Sequence, residues 1–186
     1  MRKLTVFNNV TLDGYFTSTS GDMSWAHKDD PEWTQFAASN AGGGGELLFG
    51  RVTYEMMASY WPSPLALQQN RAVAEGMNAL PKVVFSRSLD KVTWANTKLA
   101  KGDLVTEVRK MKQQPGQDIV ILGSGTIVSQ LSQARLVDHY QIVVNPIVLG
   151  SGRTLFEGVT DRLTLKRTAA RSFGNGNVLL SYDLAG

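Results

Sequence analysis

Three short segments carry residue types suited to an anionic ligand. Gly50-Arg51-Val52-Thr53-Tyr54-Glu55 follows the apolar run Leu47–Phe49, Gly123-Ser124-Gly125-Thr126 follows Ile119–Leu122, and Ser86-Arg87 follows Val83–Phe85. A strand that ends in glycine or serine at the start of a helix offers backbone N–H groups and the positive end of the helix dipole to a phosphate. In an open α/β sheet such turns gather at the carboxyl ends of the strands, where ligands bind. Taken singly, each is also what the sterics of a βα turn produce. Other phosphate fingerprints are missing: the chain has no G-x-G-x-x-G and no G-x-x-x-x-G-K-S/T, so neither a Rossmann dinucleotide site nor a P-loop is indicated.

Proton chemistry has two carboxylate candidates. Asp13 sits in Leu12-Asp13-Gly14 beyond the first apolar run, and Asp30 precedes Pro31. Each has a plain local role as well, Asp13 as an Asp-Gly turn and Asp30 as a helix N-cap. Trp25, Tyr54 and Trp61 could stack on a flat heterocycle or simply fill a core. His27 could exchange a proton near neutral pH or stand solvated in a loop. The absence of cysteine closes other routes, since it removes thiolate nucleophiles, redox dithiols, iron–sulfur clusters and Cys-based zinc sites. With only His27 and His139 as imidazoles, no metal site is expected.

The elements that must position these residues follow from the same runs. At 186 residues the chain reads as one domain, able to bury roughly 70% of its unfolded surface. Leu4–Phe7, Leu47–Phe49, Val83–Phe85, Ile119–Leu122, Ile142–Val144 and Val178–Leu180 are continuous apolar runs, the habit of strands covered on both faces. Helical segments lie between them at 31–38, 52–60, 68–77, 103–112 and 126–134, which implies an α/β sheet of largely parallel strands. Near the C-terminus, Leu163–Thr168 alternates, Phe173–Asn177 supplies turn chemistry and Val178–Asp183 forms another strand, so an antiparallel hairpin is expected. Gly42–Gly45 reads as a loose loop after the first helix. The net charge of +3 is spread along the chain, which argues against nucleic acid. No apolar run approaches the length of a membrane span, and a cytoplasmic protein is expected.

Gly50-Arg51-x-Thr53-Tyr54-Glu55, Ser86-Arg87 and Gly123-x-Gly125, each after a strand and in this order, resemble the dihydrofolate reductase superfamily. Thr11-Leu12-Asp13-Gly14, Leu136–Ile142 and Asn145-Pro146-Ile147-Val148-Leu149-Gly150-Ser151-Gly152 are similar, more specifically, to the C-terminal reductase domain of bacterial bifunctional riboflavin-biosynthesis deaminase/reductase enzymes. The resemblance covers nearly the whole chain. It implies a single domain over 1–186 with a three-layer α/β fold: a central, mostly parallel sheet, an antiparallel C-terminal hairpin and helices on both faces.

The resemblance also implies NADPH lying across the carboxyl ends of the strands. Gly50, Arg51 and Thr53 match the turn that binds its phosphates, and Ser86 and Arg87 the pair beside the ribose 2′-phosphate. A guanidinium there favours NADPH over NADH. Gly123, Ser124, Gly125 and Thr126 match the turn beneath nicotinamide and pyrophosphate, where the family usually has Gly-Gly in an unusual peptide geometry. Met23-Ser24-Trp25 is similar to the Met-x-Trp that precedes the substrate carboxylate in folate-reducing members, which puts Asp30 at the place of that carboxylate and Trp33 at that of an aromatic neighbour, with Trp25 and Tyr54 as the candidate substrate residues. The implied activity is reduction of a heterocycle, most like 5-amino-6-(5-phosphoribosylamino)uracil. A dihydrofolate or pterin reductase is the alternative, and a non-catalytic nucleotide-binding module on the same fold is another. The family tends to form homodimers, and the C-terminal edge hairpin is the expected contact.

Overall fold

The computed structural model describes residues 1–26 and 30–185. Its strands are β1 (Leu4–Thr11), β2 (Tyr15–Thr17), β3 (Glu46–Gly50), β4 (Lys82–Phe85), β5 (Thr97–Ala100), β6 (Ile119–Leu122), β7 (His139–Asn145), β8 (Arg153–Thr154), β9 (Leu165–Ser172) and β10 (Val178–Leu184). The helices are α1 (Pro31–Gly42), α2 (Arg51–Tyr60), α3 (Pro64–Gln69), α4 (Arg71–Ala79), α5 (Leu104–Gln113) and α6 (Gly125–Gln133). Eight strands form one sheet in the order β5-β4-β3-β6-β1-β7-β10-β9, and β2 pairs with β8 apart from it. The six strands from β5 to β7 run parallel, whereas β10 is antiparallel to both β7 and β9. This is the mostly parallel α/β sheet with an antiparallel C-terminal hairpin that the sequence implies.

The continuous apolar runs are explained by burial on both faces. In β3, Leu48 joins Leu4, Val6, Ile119, Ile121 and Tyr140 on the face covered by α5 and α6. Leu47 and Phe49 point the other way, into a second core with Tyr54 of α2 and with Val73 and Met77 of α4. A smaller cluster, Val143, Phe173 and Leu179, lies beside Trp33 and Phe36 of α1.

Three features differ from the sequence reading. The helix expected over 68–77 is two helices, because Asn70 (φ −153°, ψ 78°) leaves the helical region and its side chain accepts from Val73 N at 3.2 Å to start α4. β5 is an additional edge strand, and β2 and β8 are too short to show a period. The 42–45 glycine segment is tied down where Gly45 N, at φ +124°, donates to Gln117 Oε1 at 2.8 Å.

Candidate active site

Parallel pairing brings the three glycine and serine turns to one edge. Gly50 is in register with Phe85, and Leu48 with Ile121, so Gly50, Ser86 and Gly123 leave the sheet side by side at its carboxyl edge. The helix starts at this edge differ from the others. α1, α3, α4 and α5 are each capped by a side chain, those of Asp30, Ser63, Asn70 and Asp103. α2, which begins after Gly50, and α6, which begins after Ser124, have no side-chain cap. Their first-turn N–H groups are therefore available to a ligand, and both helix dipoles favour an anion.

Ser124 joins the two turns. Its Oγ accepts from Gly50 N at 2.7 Å and donates to Thr53 Oγ1 at 2.9 Å. The preceding Gly123 is left-handed (φ +64°), and a Cβ there would stand 2.9 Å from Thr53 Cγ2. Ser124 is left-handed too (φ 62°, ψ 71°), an uncommon state for a residue with a side chain, and the Gly123–Ser124 peptide is trans. Gly125 packs against Phe16 so closely that a Cβ would lie 2.7 Å from its ring. At the outer turn, Ser86 Oγ accepts from Leu89 N at 3.0 Å and Ser88 N at 3.2 Å. Arg87 lies towards α5, where its charge helps Thr106 hold the capping Asp103 carboxyl below its usual range; the Thr106 hydroxyl is the largest cause. Arg51 is half-exposed and pairs with Glu55 at 2.9 Å.

Beside these turns a cavity of about 470 Å³ runs between the sheet and α1, α2 and α4. Thr53, Gly123 and Ser124 form part of its wall, and Phe7, Phe16, Trp33 and Trp61 supply aromatic surface. Its polar wall also includes Asn8, Asn9, Ser39, Asn40 and Gln141, and no Asp, Glu, Lys, Arg or His among the described residues lines it. Trp33, expected as the aromatic neighbour of Asp30, is among the lining residues, whereas sequence reading missed Asn8, Asn9 and Gln141. The available signal was the Asn-Asn pair inside a strand that is otherwise apolar.

Both carboxylate candidates lie outside that lining. Asp13 accepts from Thr11 Oγ1 at 2.6 Å, Gly150 N at 2.8 Å and Leu149 N at 3.2 Å, bracing the end of β1 against the loop after β7. The Thr11 hydroxyl first, and then these N–H groups, hold its carboxyl below the usual range, although partial desolvation opposes them. Asp30 caps α1, accepting from Trp33 N at 2.7 Å, and its second oxygen abuts Gly174. Tyr54 is a core residue: its ring packs against Trp94, and its hydroxyl accepts from Thr93 N and Trp94 N at 3.0 and 3.1 Å. Trp25 sits in a short turn, Ser24–Ala26, whose residue Ala26 reaches the cavity along with Met23, while the tryptophan does not. His27 lies outside the described residues. Among the described residues no group of three or more His, Asp or Glu is placed to hold a metal ion, and no helix is long and apolar enough to cross a membrane.

A mostly parallel sheet with uncapped helix starts and a neutral cleft at its carboxyl edge defines a dihydrofolate reductase-like α/β protein. The chain belongs to the RibD C-terminal domain family, which it matches over residues 2–179. It is 28% identical to the uncharacterized protein YyaP of Bacillus subtilis, over 100% of this chain and 96% of that protein. The crystal structure of a putative riboflavin biosynthesis protein from Shewanella sp. PV-4 superposes with a TM-score of 0.75, 21% identity and 99% coverage of both chains. The deaminase/5-amino-6-(5-phosphoribosylamino)uracil reductase of Thermotoga maritima gives 0.69 at 13% identity, covering 99% of this chain and 57% of that one. Dihydrofolate reductase from Enterococcus faecalis, complexed with NADP(H), gives 0.62 at 13% identity, covering 99% and 97%. These structural likenesses establish the shared fold, and the family is that of riboflavin-biosynthesis-type reductases.

Proposed function

We propose that this protein is an NADPH-dependent reductase of a flat heterocyclic substrate. One observation carries the reading: of the six helices among the described residues, the two without a side-chain cap open on the same edge, beside the cavity. The two turns suit a pyrophosphate because Gly50, Gly123 and Gly125, packed too closely on Ser124, Thr53 and Phe16 to carry a Cβ, put no side chain over the helix starts. Gly50, Arg51 and Thr53 on one turn and Gly123, Ser124, Gly125 and Thr126 on the other would hold the cofactor's phosphates and nicotinamide. Ser86 and Arg87 would hold the 2′-phosphate. The cofactor, when bound, supplies the hydride.

The chain's own part is to bind, orient and exclude water. Phe7, Trp33 and Trp61 would enclose the ring, and the Ser124 link keeps the two turns at a fixed separation. In this reading Asp13 and Asp30 shape the mouth of the site as a brace and a cap. No Asp, Glu, Lys, Arg, His or Tyr among the described residues lines the cavity.

5-Amino-6-(5-phosphoribosylamino)uracil, reduced by the Thermotoga enzyme according to its name, is the first substrate to assay. A pterin is the second; the superposition on dihydrofolate reductase favours it, and the lack of a described carboxylate in the cavity weighs against it. β9, exposed along most of its length at the sheet edge, would serve the homodimer; a monomeric mass in light scattering would remove that contact.

The function is tested by titration with NADPH and NADH. Saturable, micromolar NADPH binding, weaker NADH binding and at least a tenfold loss of NADPH affinity in Arg87→Ala are expected. Equal affinity for both nucleotides, unaltered in Arg87→Ala, would overturn the reading. Bound NADPH that is never oxidised across pterins, pyrimidines and aldehydes would favour a non-catalytic nucleotide-binding module.

A further inference from the structure

We infer that Asn9 sets substrate specificity as a donor-only amide held by the buried Asn145. With Gln141 on the same face, it selects an uncharged ring edge that carries carbonyl oxygens on either side of an N–H. This deepens the reductase reading and rests on it for placing the substrate in the cavity.

Asn9 and Gln141 both line the cavity. The parallel register pairs Phe7 with Gln141 and Asn9 with Val143, and paired residues leave a sheet on the same face. Residues two apart along a strand share a face as well, so Phe7, Asn9 and Gln141 project together, on the side where Val143 packs near Trp33 and Phe36 of α1. Diagonal neighbours of this kind stand about 7 Å apart, close enough for two amides to reach one ring. Phe7, beside both, supplies apolar surface between them.

The orientation of Asn9 follows from Asn145, which is fully buried and contacts the backbone carbonyls of Val10 and Val143, each at 3.2 Å. Carbonyls only accept, so the contacting atom of Asn145 is its NH₂. That same NH₂ lies 3.1 Å from the Asn9 side chain and can only donate, so Asn9 meets it with its oxygen. The Nδ2 of Asn9 is left without a partner among the described residues and, unlike that of Asn8, is not sealed inside the fold.

Gln141 is partly exposed, and its amide makes no hydrogen bond among the described residues. It can turn either end to a ligand, whereas Asn9 can turn only its NH₂. A donor at Asn9 followed by an acceptor and a donor at Gln141 complements the order carbonyl, N–H, carbonyl. An edge reading amino, bare nitrogen, amino has the reverse order and sets an amino group against the Asn9 NH₂. Flipping Asn9 to relieve this would set its NH₂ against that of Asn145 instead, leaving donors unpaired. Discrimination therefore lies with Asn9, and Gln141 supplies affinity for either edge.

The test uses two rings of the same size with opposite edges, 2,4-dioxopteridine and 2,4-diaminopteridine, titrated calorimetrically into the whole chain in the presence and absence of NADPH. The wild type should bind the dioxo ring at least about tenfold more tightly. Asn9→Asp keeps an oxygen for Asn145 and presents another to the ring, so the ratio should move at least about tenfold towards the diamino ring. Asn9→Leu, as a second variant, should lose the dioxo preference. Gln141→Leu should weaken both rings severalfold and leave their ratio unchanged. Asn145→Ala frees Asn9 to turn, and the ratio should fall towards one. If that variant does not fold, the Asn9 side-chain NH₂ resonances of the wild type take its place: the dioxo ring should shift them, and no shift would count against the inference. Equal binding of the two rings, binding of neither, or a ratio unmoved by the folded Asn9 variants would overturn it. NADPH is also titrated alone into the wild type. A dioxo preference set by Asn9 without NADPH binding would sustain the inference and overturn the reductase reading, whereas NADPH binding with no ring preference would do the reverse.

Discussion

At the amino edge of the parallel strands, buried charges meet partners; at the carboxyl edge, neutral polar groups wait without them. Arg2 enters ahead of β1 and binds Glu46, the first residue of β3, at 2.6 Å, with a further bond to the Gln117 carbonyl. Lys112 reaches Asp138, which also accepts from Leu4 N at 2.7 Å. Lys82, fully buried at the start of β4, donates to the carbonyls of Leu80, Asn78 and Ala95 at 2.6, 3.1 and 3.2 Å and lies over the Trp94 ring. The opposite edge holds the uncapped starts of α2 and α6, the left-handed Ser124 and the unpartnered Asn8 amide. A buried charge is tolerated only when fully paired, so the charged edge serves the fold. Groups left without a partner among the described residues are tolerated where a ligand completes them, which is the role proposed for the neutral edge.

The sharpest way to break this contrast is at the amino edge. Arg2→Ala leaves Glu46 largely buried without its partner and should cost about 3–5 kcal/mol of unfolding free energy by chemical denaturation. NADPH affinity of the folded fraction should be unchanged; a loss of affinity would show that the two edges are not separable.

Lys82 gives a pH signature with a definite sign. Burial lowers its ammonium to about 8, from 10.5 when unfolded. Between those values the unfolded chain binds the proton and the folded protein does not, so the contribution of Lys82 to stability rises with pH across that window and is flat below it. The stability of the wild type relative to Lys82→Met should therefore increase from pH 8 to pH 10.5. The gain should be about 2 kcal/mol, reduced from the full linkage value because the carbonyls partly solvate the charge. A constant difference between the two proteins would show that Lys82 does not titrate there.

Smaller effects belong to the carboxyl edge. Arg87→Ala should weaken NADPH binding tenfold, about 1.4 kcal/mol, and leave stability unaltered. Ser124→Ala removes the link between Gly50 N and Thr53 Oγ1 and should cost about 1 kcal/mol in denaturation. It should also weaken NADPH binding severalfold as the two turns separate. An unaltered affinity would mean that the turns hold their positions without Ser124.

The elements that were legible in the sequence are those whose cause is local. β3, β4 and β6 announce themselves as continuous apolar runs because both of their faces are covered. The starts of α2 and α6 are legible because glycine at a strand end needs no distant partner to be recognised. β5 was not, since an edge strand with an exposed Lys98 carries no such run. β2 and β8 were not, because strands of three and two residues show no period and each pairs only with a segment more than a hundred residues away.

By itself, then, the sequence determined the sheet-and-helix alternation, the family resemblance and the turns fit for phosphate, because side-chain pattern and backbone freedom act over a few residues. The tertiary structure decided the cavity. Trp33 of α1, Gln141 of β7, the Asn pair of β1 and Thr53 of α2 meet only because parallel registers and helix packing deliver distant segments to one edge. It also decided the parts played by Asp13, Asp30 and Tyr54, whose partners are a loop after β7, a helix start and a backbone pair. Those partners decide whether a polar side chain faces a ligand or braces the fold, and residue type alone does not reveal them.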